Sequence, residues 1–384
     1  MDTLRSVPSS SSRSSGGDDG LLRSSSELRL SKRPLARFPL TPGMSVAVEP
    51  RAVSTLEEFL RKRPHHWICL DGRITSAPQI LRSRPFWNAD HHYGVDRLET
   101  PCTAKQILRE LSQKKNILSS FVVAGRLKAS IAVNDCDFDV VLSLWLLKNH
   151  KTVARGELSR SMLNLIDFQD RIDRRGGCLP INPESKLMQS MSWLNEPYER
   201  ARADGSLSKL GAFEMSELIQ EIMGRIDFFA AGQGKLRCVD GGYSKSGLDG
   251  PGWVMVEEQG LYARGVMLRD GIKAFISVKP SSDSAWTYAL WRMNRASRFN
   301  VSYLYRVFNA AEGLTDFSAN CWGGSQEGGG SPRMSGSSLN PKQLTLITNA
   351  YLEFARSAGF NETSLADFIE HHLPAYLQQP PKAA

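Results

Sequence analysis

From Val53 onward apolar residues recur at the spacings of regular structure, whereas residues 1–45 carry almost no periodic pattern. The run TLEEFLRKR predicts a short helix, and HWICLDG a strand that ends on the carboxylate of Asp71. In TPCTAKQILRELSQ, Thr103 is placed as an N-cap, and Ile107, Leu108 and Leu111 fall at helical spacing. A strand over 128–135 (KASIAVND) runs straight into the apolar helix DVVLSLWLLKN. Strand, carboxylate-bearing loop and helix in succession make a βα unit, and ligands of such sheets sit at the carboxyl ends of the strands.

Three amphipathic helices follow, ELSRSMLNLIDFQDRIDR, SKLMQSMSWLNEPYERARA and LGAFEMSELIQEIMGRIDFFAAG. A Gly-rich stretch over 231–252 then changes the pattern, and WVMVEE, KAFISVK and WTYALWRM read as strands joined by short turns. The chain closes with helices at VSYLYRVFNAAEG, PKQLTLITNAYLEFAR and TSLADFIEHHLPAYL, and no internal repeat is found. The fold class expected is α/β: a parallel-sheet α/β domain over 46–230, a smaller α+β domain over 231–384, and an active-site cleft between them. Residues 1–45, with eleven serines in the first 31 positions, cannot bury enough apolar surface to offset their ordering entropy and are expected to be a disordered tail.

Composition narrows the class. At 384 residues and 41% apolar content the chain can build a sizeable core. No apolar run is long enough for a membrane helix, and the N-terminus lacks a signal-peptide pattern, so a cytoplasmic protein without a membrane partner is expected. The tail's acidic residues, Asp2, Asp18, Asp19 and Glu27, count against an organelle transit peptide. Six dispersed cysteines without a CxxC pair fit neither a disulfide framework nor a zinc knuckle. The net charge of +8 is spread through the chain, which implies a modest attraction for anionic substrates rather than a nucleic-acid arm.

Two short stretches carry candidate chemistry. NADHH, at 88–92, puts Asp90, His91 and His92 side by side, all competent ligands for a divalent metal. Alone it also reads as a polar turn with a capping aspartate. NDCDFD, at 134–139, crowds Asp135, Asp137 and Asp139 between a strand and a helix. One of these can be an N-cap, but three carboxylates so close repel one another, and a cation is the usual compensation. The helix NLIDFQDRIDRRGG places Asp167, Asp170 and Asp173 on one face, ordinarily a solvated one, from which Asp170 or Asp173 could supply a further ligand.

A third stretch, WGGSQEGGGSPRMSGSSL at 322–339, reads either as a mobile surface loop or as an anion cradle. In the second reading Gly323, Gly324, Gly328, Gly329 and Gly330 bring backbone N–H groups close to a phosphate. Ser325 and Ser331 add hydroxyls, and Arg333 adds a bidentate contact.

These motifs resemble the DHH phosphoesterases, a superfamily of manganese-dependent pyrophosphatases, exopolyphosphatases, RecJ-type nucleases and oligonucleotide or cyclic-dinucleotide phosphodiesterases. NADHH is similar to the name-giving motif, CDFDVVLSLWLL to the family's aspartate-x-aspartate motif, and the Gly-rich stretch to the substrate loop of a DHHA1-type C-terminal domain. The likeness spans about residues 60–370 in arrangement. The aspartate-x-aspartate motif here follows DHH instead of preceding it, and Ser331, Pro332 and Arg333 stand where the family has a histidine.

The resemblance implies a metal-dependent phosphoesterase with two Mn²⁺ or Mg²⁺ ions. Ligands are expected from Asp71, Asp90, His91, Asp135, Asp137, Asp139 and Asp170. Catalytic roles fall to His92 at the leaving group and Arg333 on developing charge. The partner expected is a phosphate-bearing small molecule or short oligonucleotide. Two other classes use the same residues: a mononuclear metallohydrolase acting on an amide or deaminating a base, and a non-catalytic anion- or nucleotide-binding regulator.

Overall fold

In the computed structural model, which describes residues 36–377 apart from 283, 317 and 319, regular structure starts inside the segment that the hydrophobic pattern left blank. β1 (Ala36–Thr41) and β2 (Met44–Val48) form an antiparallel hairpin. Ala36, Phe38 and Leu40 are buried while Arg37 and Pro39 are exposed, a period-two alternation over six residues. The boundary at residue 45 is therefore corrected: 36–45 belong to the fold, and the serine-rich average of the preceding run masked one short strand. The rest of the expected tail, residues 1–35, lies outside the described residues.

α1 (Leu56–Lys62) is closed by a capping box, Thr55 accepting from the Glu58 amide and the Glu58 carboxylate from the Thr55 amide. There follow β3 (Trp67–Leu70), β4 (Gln79–Leu81), β5 (Phe86–Ala89), α2 (Thr103–Leu111), a hairpin of β6 (Val122–Val123) and β7 (Arg126–Leu127), and β8 (Ala129–Val133). The first sheet has the order β1-β2-β8-β3-β5-β4, with β2, β8, β3 and β5 parallel and antiparallel strands at both edges. Cys102, not Thr103, occupies the N-cap position of α2, and Thr103 is the first helical residue.

α3 (Phe138–Lys148) is buried from Phe138 through Leu147, so its nearly uniform apolar sequence has no solvent face to vary on. It packs against α2, α5 (Arg160–Asp173) and α7 (Ala212–Ala230), with α4 (His150–Ala154) and α6 (Lys186–Ala203) completing this half.

The second sheet contains β9 (Tyr243–Gly250), β10 (Trp253–Glu258), β11 (Ala274–Ser282), β12 (Ala285–Arg292), β13 (Gly323–Gly324) and β14 (Gly328–Gly330), with α8 (Ala263–Arg269) and α9 (Val301–Ala311) between strands. Its order is β13-β14-β12-β11-β10-β9, and β10 with β11 is the parallel pair. α10 (Pro341–Ala358), α11 (Glu362–Asp367) and α12 (Pro374–Leu377) end the described chain. Trp253, Ile276, Leu290, Phe308, Trp322 and Tyr351 belong to a core cluster of this half, separate from that around α3. The fold is mixed α/β, its described residues forming one compact unit. Among the described residues no helix is long and apolar enough to cross a membrane.

Candidate metal centre

The three parallel strands β8, β3 and β5 lie side by side, and each ends in a carboxylate-bearing loop. Asp71 follows β3 in a left-handed turn with φ of +46°, continued by Gly72 at +72°. Aspartate tolerates this conformation better than most residues, and it reverses the chain at the strand end. Asp90 follows β5 and acts chiefly as a clasp. Its Oδ1 accepts from the amides of Gly72 (3.0 Å), His91 (2.7 Å) and His92 (2.9 Å), which fixes both histidines on their loop. Gln106 tightens the same loop by donating to the Asp90 carbonyl at 2.7 Å. Burial pushes the Asp90 carboxyl above its ordinary value despite these bonds.

His91 is fully buried. Its Nε2 lies 2.9 Å from Oδ2 of Asp173 and 3.5 Å from Oδ1 of Asp71, while Nε2 of the partly exposed His92 lies 3.1 Å from the same Asp71 oxygen. The contact between His91 and Asp173 is close but not a hydrogen bond, because neither atom has a partner in hydrogen-bonding geometry. A ring nitrogen and a carboxylate oxygen that converge without sharing a proton are arranged as donors to a third species. Asp71, His91 and His92 form one set of donor atoms within 4.8 Å of one another, and His91, Asp139 and Asp173 a second.

Asp139, in the first turn of α3, accepts from the amides of Thr103 (2.7 Å) and Ala104 (3.0 Å) at the start of α2. Asp137 is the N-cap of α3, accepting from Val140 at 2.9 Å, so its capping role is real. Asp135 accepts from the neighbouring Cys136 amide. Burial, and then the charges of neighbouring carboxylates, push Asp137 and Asp139 well above the usual range; Asp135 is raised chiefly by burial. Asp71 goes the other way. Burial raises it, but the hydrogen bond and charge of His92, the charge of His91 and the Thr103 hydroxyl (2.9 Å) outweigh this and leave it at about 2. His92 is raised in turn, burial being overcome by Asp71.

On α5, Asp167, Asp170 and Asp173 do share a face, exposed at Asp167 but buried at Asp170 and half-buried at Asp173. Asp167 pairs with Lys105, Asp170 accepts from the Cys102 amide at 2.8 Å, and Asp173 reaches His91 and, at 2.9 Å, Arg97. Asp170 therefore holds the start of α2, and Asp173 is the α5 carboxylate brought to the donor set. Sequence reasoning missed Arg97, the Thr103 hydroxyl and the paired amides of α2. The apolar periodicity did locate that helix start.

The Gly-rich stretch is placed differently from the anion cradle. Gly328, Gly329 and Gly330 pair with β12, and Gly323 and Gly324 pair with β14, which engages their backbone in a ladder. A side chain at Gly329 would meet the Gly323 carbonyl at 2.1 Å, and one at Gly330 the Tyr288 carbonyl at 2.4 Å, so close strand approach demands these glycines. Ser331 is buried and accepts from the Tyr288 amide at 3.0 Å, and Ser325 accepts from the amides of Glu327 and Gly328 within the hairpin. Trp322 is buried against Tyr288 and Phe308. Arg333 is exposed, and no contact among the described residues joins it to the Asp/His cluster.

The donors fit a metal cation. They combine carboxylate and imidazole, His91 and Asp173 carry buried unpartnered atoms, and the mutual repulsion of the carboxylates is what a cation relieves. No family model, no curated protein and no solved structure matches the chain.

Proposed function

We propose that the chain is a metal-dependent hydrolase of phosphate esters or anhydrides, working at the ends of β8, β3 and β5. The observation that carries this reading is the pair of donor sets meeting at His91, whose buried Nε2 stands beside Asp173 without a hydrogen bond. Asp71, His91, Asp139 and Asp173 would hold the metal, with Asp71 within reach of both histidines. Such ions supply Lewis-acid polarisation of phosphoryl oxygens and a nucleophile at neutral pH. His92 then serves as a donor to a phosphoryl or leaving oxygen, being partly exposed where His91 is not. Asp170 orients this machinery through the Cys102 amide, and Asp90 through the amides of His91 and His92 with its Oδ1, while its Oδ2 is buried without a partner.

The resemblance to DHH phosphoesterases agrees with this reading. Motif order along the chain matters little to convergence, because β8 is inserted beside β3 and brings its loop to the loop after β5. The second sheet would cover the cluster and form a cleft with it; the ion pairs of Arg295 with Asp96 and Glu327 support that placement. A one-ion hydrolase is the second reading. It is favoured by both donor sets drawing on the same His91 nitrogen, which binds one ion, and by the α2 amides already engaging both oxygens of Asp139. Metal analysis of Mn²⁺-loaded protein, with phosphate release from pyrophosphate, short oligonucleotides, cyclic dinucleotides and bis-p-nitrophenyl phosphate, decides. Two ions and turnover support the proposal; one ion without phosphate release supports the second reading.

A further inference from the structure

Next to the donor cluster lies a cavity of about 230 Å³ that the anion-cradle reading did not anticipate. Asp137 and Asp173 form its inner edge, so whatever fills it touches the cluster. Phe138, Ile172 and Met191 give it apolar walls, and Asn195, Tyr198 and Arg202, on successive turns of α6, give it a polar side. Two of these polar groups have atoms left without a partner, although the Asn195 side chain also contacts the Tyr262 hydroxyl. The Asn195 Oδ1 is buried without a hydrogen bond, and Arg202 has no carboxylate within ion-pair distance among the described residues. Glu199, by contrast, is consumed by Arg237 and Tyr262 at the rear. Apolar walls with a few convergent polar groups are the ordinary composition of a small-molecule site, and the volume is below the roughly 300–1,000 Å³ of drug-sized pockets.

We infer that this cavity is the substrate subsite: it takes the body of a phosphate-bearing molecule of mononucleotide size, with Arg202 on an anionic oxygen and Asn195 on a polar edge. The inference rests on the proposed phosphoester chemistry for the direction in which the phosphate points. An oligonucleotide is too large to enter the cavity. Arg202 stands exposed at the mouth, where a guanidinium meets an incoming anion before the body is desolvated.

The test is calorimetric titration of the full, Mn²⁺-loaded chain with the non-hydrolysable phosphonate analogue of AMP, in wild type, Arg202→Ala and Asn195→Leu. Saturable binding is expected, weakened on the order of ten- to a hundredfold in each variant, the size of a lost charge-assisted or buried hydrogen bond. Mn²⁺ content should be unchanged in both variants, and Arg202→Ala, whose guanidinium is exposed without an ion pair among the described residues, should keep the wild-type melting temperature; Asn195→Leu also gives up the contact of Asn195 with Tyr262. A dodecamer of thymidylate should not compete. The inference is overturned by no saturable binding to wild type, by wild-type affinity in both variants, or by equal competition from the dodecamer. The two readings separate cleanly. Binding that depends on Arg202 and Asn195 without hydrolysis of any phosphate ester leaves the cavity standing and removes the phosphoesterase. Hydrolysis of p-nitrophenyl phosphate with AMP-analogue affinity untouched in both variants does the reverse.

Discussion

Asp139 and Asp173 meet the same imidazole, but they are held differently, and that difference makes their substitutions distinguishable. Asp139 accepts two backbone amides of α2, whereas Asp173 is fixed by the half-exposed Arg97. Asp173→Asn should lower Mn²⁺ content and leave stability in chelator within about 1 kcal/mol, the worth of a partly exposed ion pair. Asp139→Asn should lower Mn²⁺ content and also cost about 1–3 kcal/mol, because an amide offers one acceptor oxygen where two amide hydrogens need partners. Metal analysis beside denaturant melts in chelator checks both, and equal stability of the two variants would contradict the account.

Away from the cluster, buried Glu49 bonds both Arg63 and Arg73. Burial pushes its carboxyl up, but the hydrogen bonds and charges of the two arginines outweigh this and hold it below its ordinary value. A depressed folded-state pKa means that the stabilisation is present above the unfolded value and lost as pH falls through the folded one. Glu49→Gln should therefore cost about 3 kcal/mol at neutral pH, typical of breaking a buried pair. The gap to wild type should close only at pH values below the usual carboxylate range. Urea melts across that range test the sign, and a gap that grows in acid would be the contrary result. At this scale Asp71, His91 and Asp139, expected as ligands, stand in the two donor sets, while Asp90, Asp135, Asp137 and Asp170, expected with them, do not. The sequence could not separate Asp170 from Asp173, one helical turn apart, since their orientation is set by α2 packing across α5.

Among elements, the βα unit of β8 and α3 was legible because a strand-length apolar run, a carboxylate loop and a long apolar run follow without interruption. β5 was not: its four residues are all buried, so no alternation marks them, and they run directly into DHH. β1 escaped for the opposite reason, clear alternation lying inside a serine-rich average. Its role is testable by deletion. A chain starting at Met44 loses the burial of Phe38 and Leu40, about 1.5–3 kcal/mol each, and leaves β2 as an unpaired edge. Its melting temperature should fall clearly below that of a chain starting at Leu35; coincident melts would show that the hairpin adds nothing. The Gly-rich hairpin carries a similar lesson. Glycines in a row signal close backbone approach, and here what approaches is strand β12.

For the molecule as a whole, a chain of net charge +8 gathers Asp71, Asp139 and Asp173 at one end of a parallel sheet, with Asp137 close enough to feel their charge, and buries a histidine among them. Nothing in packing calls for that. Carboxylates with raised pKa values and unpartnered donor atoms destabilise the metal-free protein, so the arrangement makes sense as a site completed by cations. The parallel order of β8, β3 and β5 does the gathering, and that order is non-local, which is why the loops could be found in the sequence but not their meeting point. The most direct measurement is the Mn²⁺ content of the purified chain after loading and exhaustive dialysis, wild type beside His91→Ala. Wild type should retain two ions per chain and His91→Ala clearly fewer, with its fold kept; wild type that holds no more Mn²⁺ than His91→Ala would remove the metal site.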